Sequence, residues 1–327
     1  MLIKIILIGL FVLSFTLTYL VRKAAIKKSI LDIPNHRSSH SIPTPRGGGL
    51  AIIIAWYIGL GTLYFLKNIE LNLFLALISG SFLSVISIVD DIKNVKPKVR
   101  LLFQALSAAG ALYFIGVIKP IDLFVFQIAS PYILYPLFFI TILWFINLFN
   151  FLDGIDGHIA IAGVLIPLGL FLLSDSSVLL IMMVSVLGFL PWNWQRAKIF
   201  MGDVGSTLIG FNIIVLSLWL RNTANVSLTI ILVLSSLYWF DATLTLIRRF
   251  LNKEKLSEAH RKHAYQRIVQ YGFSHQKTVL FAIIINIVFF TAIYIFREIL
   301  SSVLLLIGCL LINVFVHVYV DMKKKFE

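Results

Sequence analysis

Long apolar runs broken by short polar clusters set the pattern of this chain. Crossing a bilayer takes roughly 20 apolar residues, and windows near that length recur along the sequence at 2–21, 48–66, 71–89, 101–118, 131–149, 158–174, 177–192, 206–220, 226–247, 278–296 and 299–320. They predict an all-α, polytopic integral membrane protein with about 10–11 transmembrane helices, folded as one transmembrane domain over 1–327. Composition agrees: 59% of the residues are hydrophobic and 13% charged, far from the balance of a water-soluble domain.

Charge then sets the expected orientation. Of the 28 Lys and Arg residues, 23 fall in the connections after odd-numbered windows, and the other side holds Lys4, Lys67, Lys119, Arg221 and Arg297. Basic loops stay cytoplasmic, so the N-terminus is expected outside and the C-terminus inside. The net charge of +13 is thus explained by topology and anionic lipid, with no nucleic-acid partner. The first window lacks a basic leader and a small-residue cleavage site, so it reads as a retained anchor. Cys309 is the single cysteine, which excludes a disulfide framework and a cysteine-based metal site.

An ionised side chain at mid-membrane costs roughly 3 kcal/mol, so the positions of the acids are informative. Asp90 and Asp91 end the third window, and Asp153 and Asp156 follow the fifth. Asp203 lies in "IFMGDVGST" and Asp32 in the first inner loop, whereas the outer loops carry Glu70, Asp122, Asp175 and Glu298 singly. Acids with neighbours gather where helices end on the inner face. Adjacent carboxylates about 4 Å apart repel by roughly 4 kcal/mol at an effective dielectric near 20, so Asp90 and Asp91 call for a retained proton, a nearby Lys or a bound cation.

The stretch "NLFNFLDGIDG" places Asn147, Asn150, Asp153 and Asp156 three residues apart. A 3₁₀ turn would stack them into one row; helix capping accounts for one or two of the four. Hard oxygen donors without cysteine suit Mg²⁺, with Mn²⁺ as the alternative, and the set reads as a diphosphate site. The loop "HRKHAYQR" offers His260, Arg261, His263 and Arg267 to phosphates, although a basic helix lying on the membrane explains its Lys and Arg as well. "SIPTPRGGG" reads first as a glycine-rich turn, and "PWNWQR" as an interfacial aromatic anchor.

In order along the chain, "PTPRGGG", "VDD", "NLFNFLDGIDG", "MGDVGS" and the His loop resemble the polyprenyl-phosphate N-acetylhexosamine-1-phosphate transferases, most of all the bacterial members that start O-antigen or other surface polysaccharides. That resemblance implies attack by a lipid phosphate on the β-phosphorus of a UDP-sugar, forming lipid-diphospho-sugar and releasing UMP. It maps Asn150 and Asp203 to magnesium-binding positions, and Asp90 and Asp91 to the essential acidic pair. Asn147, Asp153 and Asp156 match the row associated with nucleotide and diphosphate. Phe200 falls at a uracil-stacking position, Asn193 at a nucleoside contact and Arg100 at a basic position near the phosphates. Within the loop, Arg261, His263 and Arg267 are kept but other histidines and an Asp of the usual run are missing, which leaves the sugar open and includes a 6-deoxy-N-acetylhexosamine. His263 is the preferred loop ligand.

The implied partners are a UDP-N-acetylhexosamine, undecaprenyl phosphate and membrane lipid; a homodimer is left open. The expected place is the bacterial inner membrane, with cytoplasmic active-site loops near 22–47, 90–100, 147–157, 193–205 and 248–277. Three rivals are weaker. An ion-coupled transporter calls for mid-membrane acids and internal repeats, and only Asp241 is such an acid. An intramembrane aspartyl protease would have to pair Asp203 with Asp241, and "FMGD" lacks the G-x-G-D form of those enzymes. A CDP-alcohol phosphotransferase would carry an arginine that is missing after Asp156.

Overall fold

The computed structural model describes every residue except 35–38, 94, 124–125, 225, 257, 259, 298–301 and 327. Parts of the expected loops 22–47, 90–100 and 248–277, and the start of the window at 299–320, therefore lie outside the described residues. Each apolar window is a helix: α1 (Leu2–Lys27), α2 (Gly49–Phe65), α3 (Leu71–Ile78) running into α4 (Gly80–Lys93), α5 (Pro97–Ile115), α6 (Pro131–Phe151), α7 (His158–Ser174) and α8 (Ser177–Asn193). They continue as α9 (Asp203–Thr223), α10 (Leu228–Leu251), a short α11 (Ala264–Gln270), α12 (His275–Phe296) and α13 (Ser302–Lys323). Between them, β1 (Leu31–Asp32) pairs antiparallel with β2 (Thr44–Pro45), and β3 (Ile121–Leu123) with β4 (Phe126–Ile128).

Seven of these spans are long and apolar enough to cross a membrane, α3 and α4 counting as one. α10 is an eighth, bent by 79° between Leu234 and Ser236. α2, α7 and α8 have 17 residues each and reach about 26 Å at 1.5 Å per residue, slightly short of a hydrocarbon core near 30 Å. With α3 and α4 taken as one and the short α11 set aside, the eleven windows correspond in order to eleven helices, of which up to eight meet the length and apolarity of a span among the described residues.

α9 is the axis of the bundle, packed by α2, α4, α6 and α7. Its sequence suits that place, because small residues at Gly205, Ser206 and Gly210 let neighbouring backbones come close. A Cβ on Gly49 would stand 2.5 Å from Gly205 Cα, so α2 and α9 begin backbone against backbone. The chain entering α9 is tied to the chain entering α2: Phe200 N–H donates to the Pro45 carbonyl (2.8 Å), and Gly48 and Gly49 donate to the carbonyls of Phe200 (2.9 Å) and Met201 (2.8 Å). The "PTPRGGG" turn and "IFMGD" are thus one hydrogen-bonded unit.

The 3₁₀ row expected for Asn147, Asn150, Asp153 and Asp156 does not form. α6 remains α-helical through Phe151 and the chain then turns, because a 3₁₀ run has poorer hydrogen-bond geometry and eclipsed side chains and seldom extends beyond three or four residues. The four side chains consequently point to different neighbours.

Filling the α2–α9 contact should cost stability. Gly205→Val is expected to lower the melting temperature of the detergent-solubilised protein by an amount corresponding to about 1–3 kcal/mol of overpacking. Gly61→Ala, where a Cβ meets open space, should leave it unchanged or slightly raised.

Candidate active site

Helix ends assemble the site. The last turn of α4 carries Asp90, which is buried, and Asp91, whose side chain is 7% exposed. Asp90 Oδ1 accepts from the Val95 N–H (2.6 Å) and Oδ2 from Arg100 Nη1 (2.6 Å), which also reaches Asp203 Oδ2 at 3.0 Å. Asp91 Oδ1 receives Arg46 Nη2 at 2.5 Å and the Asp203 N–H at 3.3 Å. Repulsion within the acidic pair is therefore offset by two guanidiniums and by the positive end of α9. Gly202, at φ +76°, is required here: its Cβ would stand 2.6 Å from Asp91 Oδ2.

Beside this cluster lies a cavity of about 350 Å³. Its walls come from the first loop (Asp32, Ser39, His40, Arg46), from Asn150 and the 153–156 turn, from Asn193, Phe200 and Asp203, and from His260, Gln266 and His275. Asn150 Nδ2 donates to Ser206 Oγ (3.3 Å). Asn193 spans two walls, accepting from the Gly157 N–H (2.9 Å) and donating to the Ile199 carbonyl (3.1 Å). Phe200 offers the cavity an aromatic ring, with His40 edge-on to it at 4.8 Å between centroids. Asp156 Oδ2 accepts from the Ala197 N–H (3.1 Å) and lies 3.2 Å from His275 Nδ1.

Several residues chosen from sequence stand elsewhere. Asn147 exchanges amide hydrogen bonds with Gln104 (2.9 and 3.3 Å), away from the cavity. Arg261 is exposed. Arg267 is buried against Asp321 (2.6 Å) and the Lys324 carbonyl (2.8 Å), where it docks α13. His263, the preferred loop ligand, is 1% exposed and lies 3.8 Å from Asp241. Asp241 accepts from the Ala264 N–H (2.9 Å), so it holds α11 in place and makes no pair with Asp203. The loop instead presents His260 and Gln266, and α12 presents His275. Sequence reading passed over Arg46, which sits in a turn read for its glycines, and His275, which lies beyond the histidine run.

Asp153 shows what the cavity lacks electrostatically. Burial, followed by the charges of Asp203, Asp91 and Asp156, pushes its carboxyl up to about 8. Asp91 Oδ2 is buried with no hydrogen-bond partner among the described residues. Among those residues no group of three or more His, Cys, Asp or Glu side chains forms a ready-made metal cage. Hard oxygens with unmet demand for positive charge fit Mg²⁺, which binds through one or two carboxylates and completes its shell with water and substrate phosphates. On the same wall, burial and then His263 and Arg249 pull His260 down to about 3, so it faces the cavity as neutral imidazole.

A pH test follows from Asp153. Between its ordinary 3.8 and the folded value of about 8, the folded protein keeps a proton that the unfolded chain has released, so stability falls as pH rises through that interval and levels off above it. Asp153→Asn has no such proton. Its stability relative to the parent should grow from pH 4 to pH 8, by at most about 1.4 kcal/mol per pH unit, then plateau, as read by thermal unfolding in detergent.

Residues 73–221 match the model of glycosyl transferase family 4. The chain is 32% identical over 291 residues to a probable undecaprenyl-phosphate N-acetylglucosaminyl 1-phosphate transferase of Bacillus subtilis, covering 84% of this chain and 79% of that one. It is 30% identical over 293 residues to the undecaprenyl-phosphate alpha-N-acetylglucosaminyl 1-phosphate transferase of Salmonella typhi, covering 83% and 77%. Against the decaprenyl-phosphate N-acetylglucosaminephosphotransferase of Mycobacterium leprae the identity is 26% over 315 residues, covering 82% and 77%. The matched stretches contain the acidic helix ends, the 150–157 turn and the Asp203 loop described above, and the chain belongs to glycosyl transferase family 4.

Proposed function

We propose that this protein transfers an N-acetylhexosamine 1-phosphate from a UDP-sugar to undecaprenyl phosphate, making the lipid-diphospho-sugar that starts a cell-surface polysaccharide. The observation that carries the reading is a polar cavity at the end of a membrane bundle where Asn150, Asp153, Asp203 and Arg46 share one wall system with Phe200. Such a cavity has partners for each part of the donor: an aromatic face for uracil, acids that take a cation, and guanidiniums for phosphate.

In the proposed reaction an oxygen of the lipid phosphate attacks the donor's β-phosphorus. The bond from that phosphorus to the α–β bridging oxygen breaks, and UMP leaves with the oxygen. Two anions must meet, so charge neutralisation and alignment come first. Asn150 and Asp203 would hold Mg²⁺, which neutralises the diphosphate when bound. Arg46 and Arg100 stand where they can add positive charge. Phosphate monoesters have a second pKa near 6, so the acceptor is already a dianion at neutral pH and calls for little base assistance. Asp90 has both oxygens engaged and in this reading orients Arg100 rather than removing a proton.

The relatives named above carry N-acetylglucosamine in their names. The departures around His260, Tyr265 and Gln266 leave the choice among N-acetylhexosamines, 6-deoxy sugars included, to be made by a panel. The basic connections support a site open to the cytoplasm of a bacterial inner membrane, where UDP-sugars are found.

Membranes containing the protein, supplied with Mg²⁺, undecaprenyl phosphate and labelled UDP-N-acetylhexosamines, are expected to yield labelled lipid and UMP. No labelled lipid with any donor would reject the reading. Asp203→Ala should lower turnover by at least about 1,000-fold while the protein remains inserted. Phe200→Ala should raise the donor KM about ten-fold, the value of one lost base-stacking contact, with a smaller change in kcat.

A further inference from the structure

Two guanidiniums cover the acids, each more exposed than the carboxylate it pairs with. Arg46 is 28% exposed over an Asp91 side chain that is 7% exposed, and Arg100 is 37% exposed over Asp90 at 8%. Arg100 uses a single nitrogen for two carboxylates, Asp90 at 2.6 Å and Asp203 at 3.0 Å. Arg46 has Asp91 as its one side-chain partner among the described residues and also lines the cavity. Three carboxylates are thus partly offset by two guanidiniums, groups that are themselves well suited to phosphate.

We infer that Arg46 and Arg100 are exchangeable counter-ions: they partly offset Asp91 and the Asp90–Asp203 pair in the arrangement seen here, and turn to the donor's diphosphate when a divalent cation binds at Asn150 and Asp203, beside Asp91. This rests on the proposed function and adds an order of events to it. A guanidinium repels a divalent cation held on the same carboxylate, as Arg100 would at Asp203, or on its neighbour, as Arg46 would at Asp91, so each weakens the other's hold. Arg100 keeps its shorter contact to Asp90 and lets go of the longer one to Asp203. Arg46 would exchange Asp91 for the cavity it already lines.

The exchange makes cation and donor binding cooperative beyond direct cation–phosphate coordination. A guanidinium freed by the cation is one that the donor no longer has to pull from a carboxylate, and by linkage the donor tightens the cation by the same factor. A rigid arginine that only repelled the cation would shift affinity without adding to this coupling.

The test measures Mn²⁺ binding to the detergent-purified full chain by electron paramagnetic resonance, with and without saturating UDP-N-acetylglucosamine. Arg46→Met and Arg100→Met should bind Mn²⁺ alone about ten-fold more tightly than the parent, the scale of one nearby charge removed. They should bind the donor about ten-fold more weakly, and the factor by which donor tightens Mn²⁺ should shrink. Arg46→Lys, which keeps the charge and checks folding, should return towards the parent. If Mn²⁺ binds saturably to the parent but neither Met variant tightens it, or the coupling factor is unchanged, the exchange is wrong while the proposed function stands. If the parent binds no Mn²⁺ with or without donor, both readings fall.

Discussion

The site depends on one constraint: four carboxylates must coexist beside a lipid-facing bundle without enough water to screen them. Asp90, Asp91, Asp153 and Asp203 come from three separate helix ends, and a low-dielectric surround makes their repulsion large. Arg46, Arg100 and the N-terminus of α9 offset much of it. Asp153 has no such partner among the described residues, and its carboxyl is pushed up to about 8 instead. A site with charge left to balance is one that favours a cation and the phosphates that come with it.

The fold supplies this by bringing backbones very close at one end. Gly49 against Gly205 lets α2 and α9 start together, and the hydrogen bonds from Phe200, Gly48 and Gly49 weld two sequence-distant turns into one wall. Asn193 and Asp156 do comparable work on the far wall, where their polar atoms hold the 157 and 197–199 segments. Much of the polar equipment around the cavity is therefore structural, spent on holding loops at fixed separation so that a few groups face inward. That division of labour separates Asn193 and Asp156, which tie segments together, from Asn150, Asp153 and Asp203, which retain oxygen for a ligand.

The histidine loop shows the same economy at longer range. Asp241, read from sequence as an acid stranded in a span, holds the start of α11 through the Ala264 N–H and lies 3.8 Å from His263 and from His317. That contact sets which residues of the loop reach the cavity. With His263 turned inward and Arg267 spent on Asp321, His260 and Gln266 are the ones presented.

Hydrophobic periodicity alone determined the spans, their order and the helix ends at which the acids gather, because bilayer length and the cost of buried charge act on local sequence. The short motifs also pointed to the acidic clusters and to the glycines beside them, since those residue types carry their chemistry wherever they are placed. What only the tertiary structure decided is direction and pairing. Asn147 turns to Gln104, His263 to Asp241 and Arg267 to Asp321, while Arg46 arrives from a turn read only for its glycines and His275 from beyond the histidine run. The reason is physical: a side chain's partner is set by the rotation of its helix and by which distant segment packs opposite, and neither is encoded in spacing along one stretch of chain.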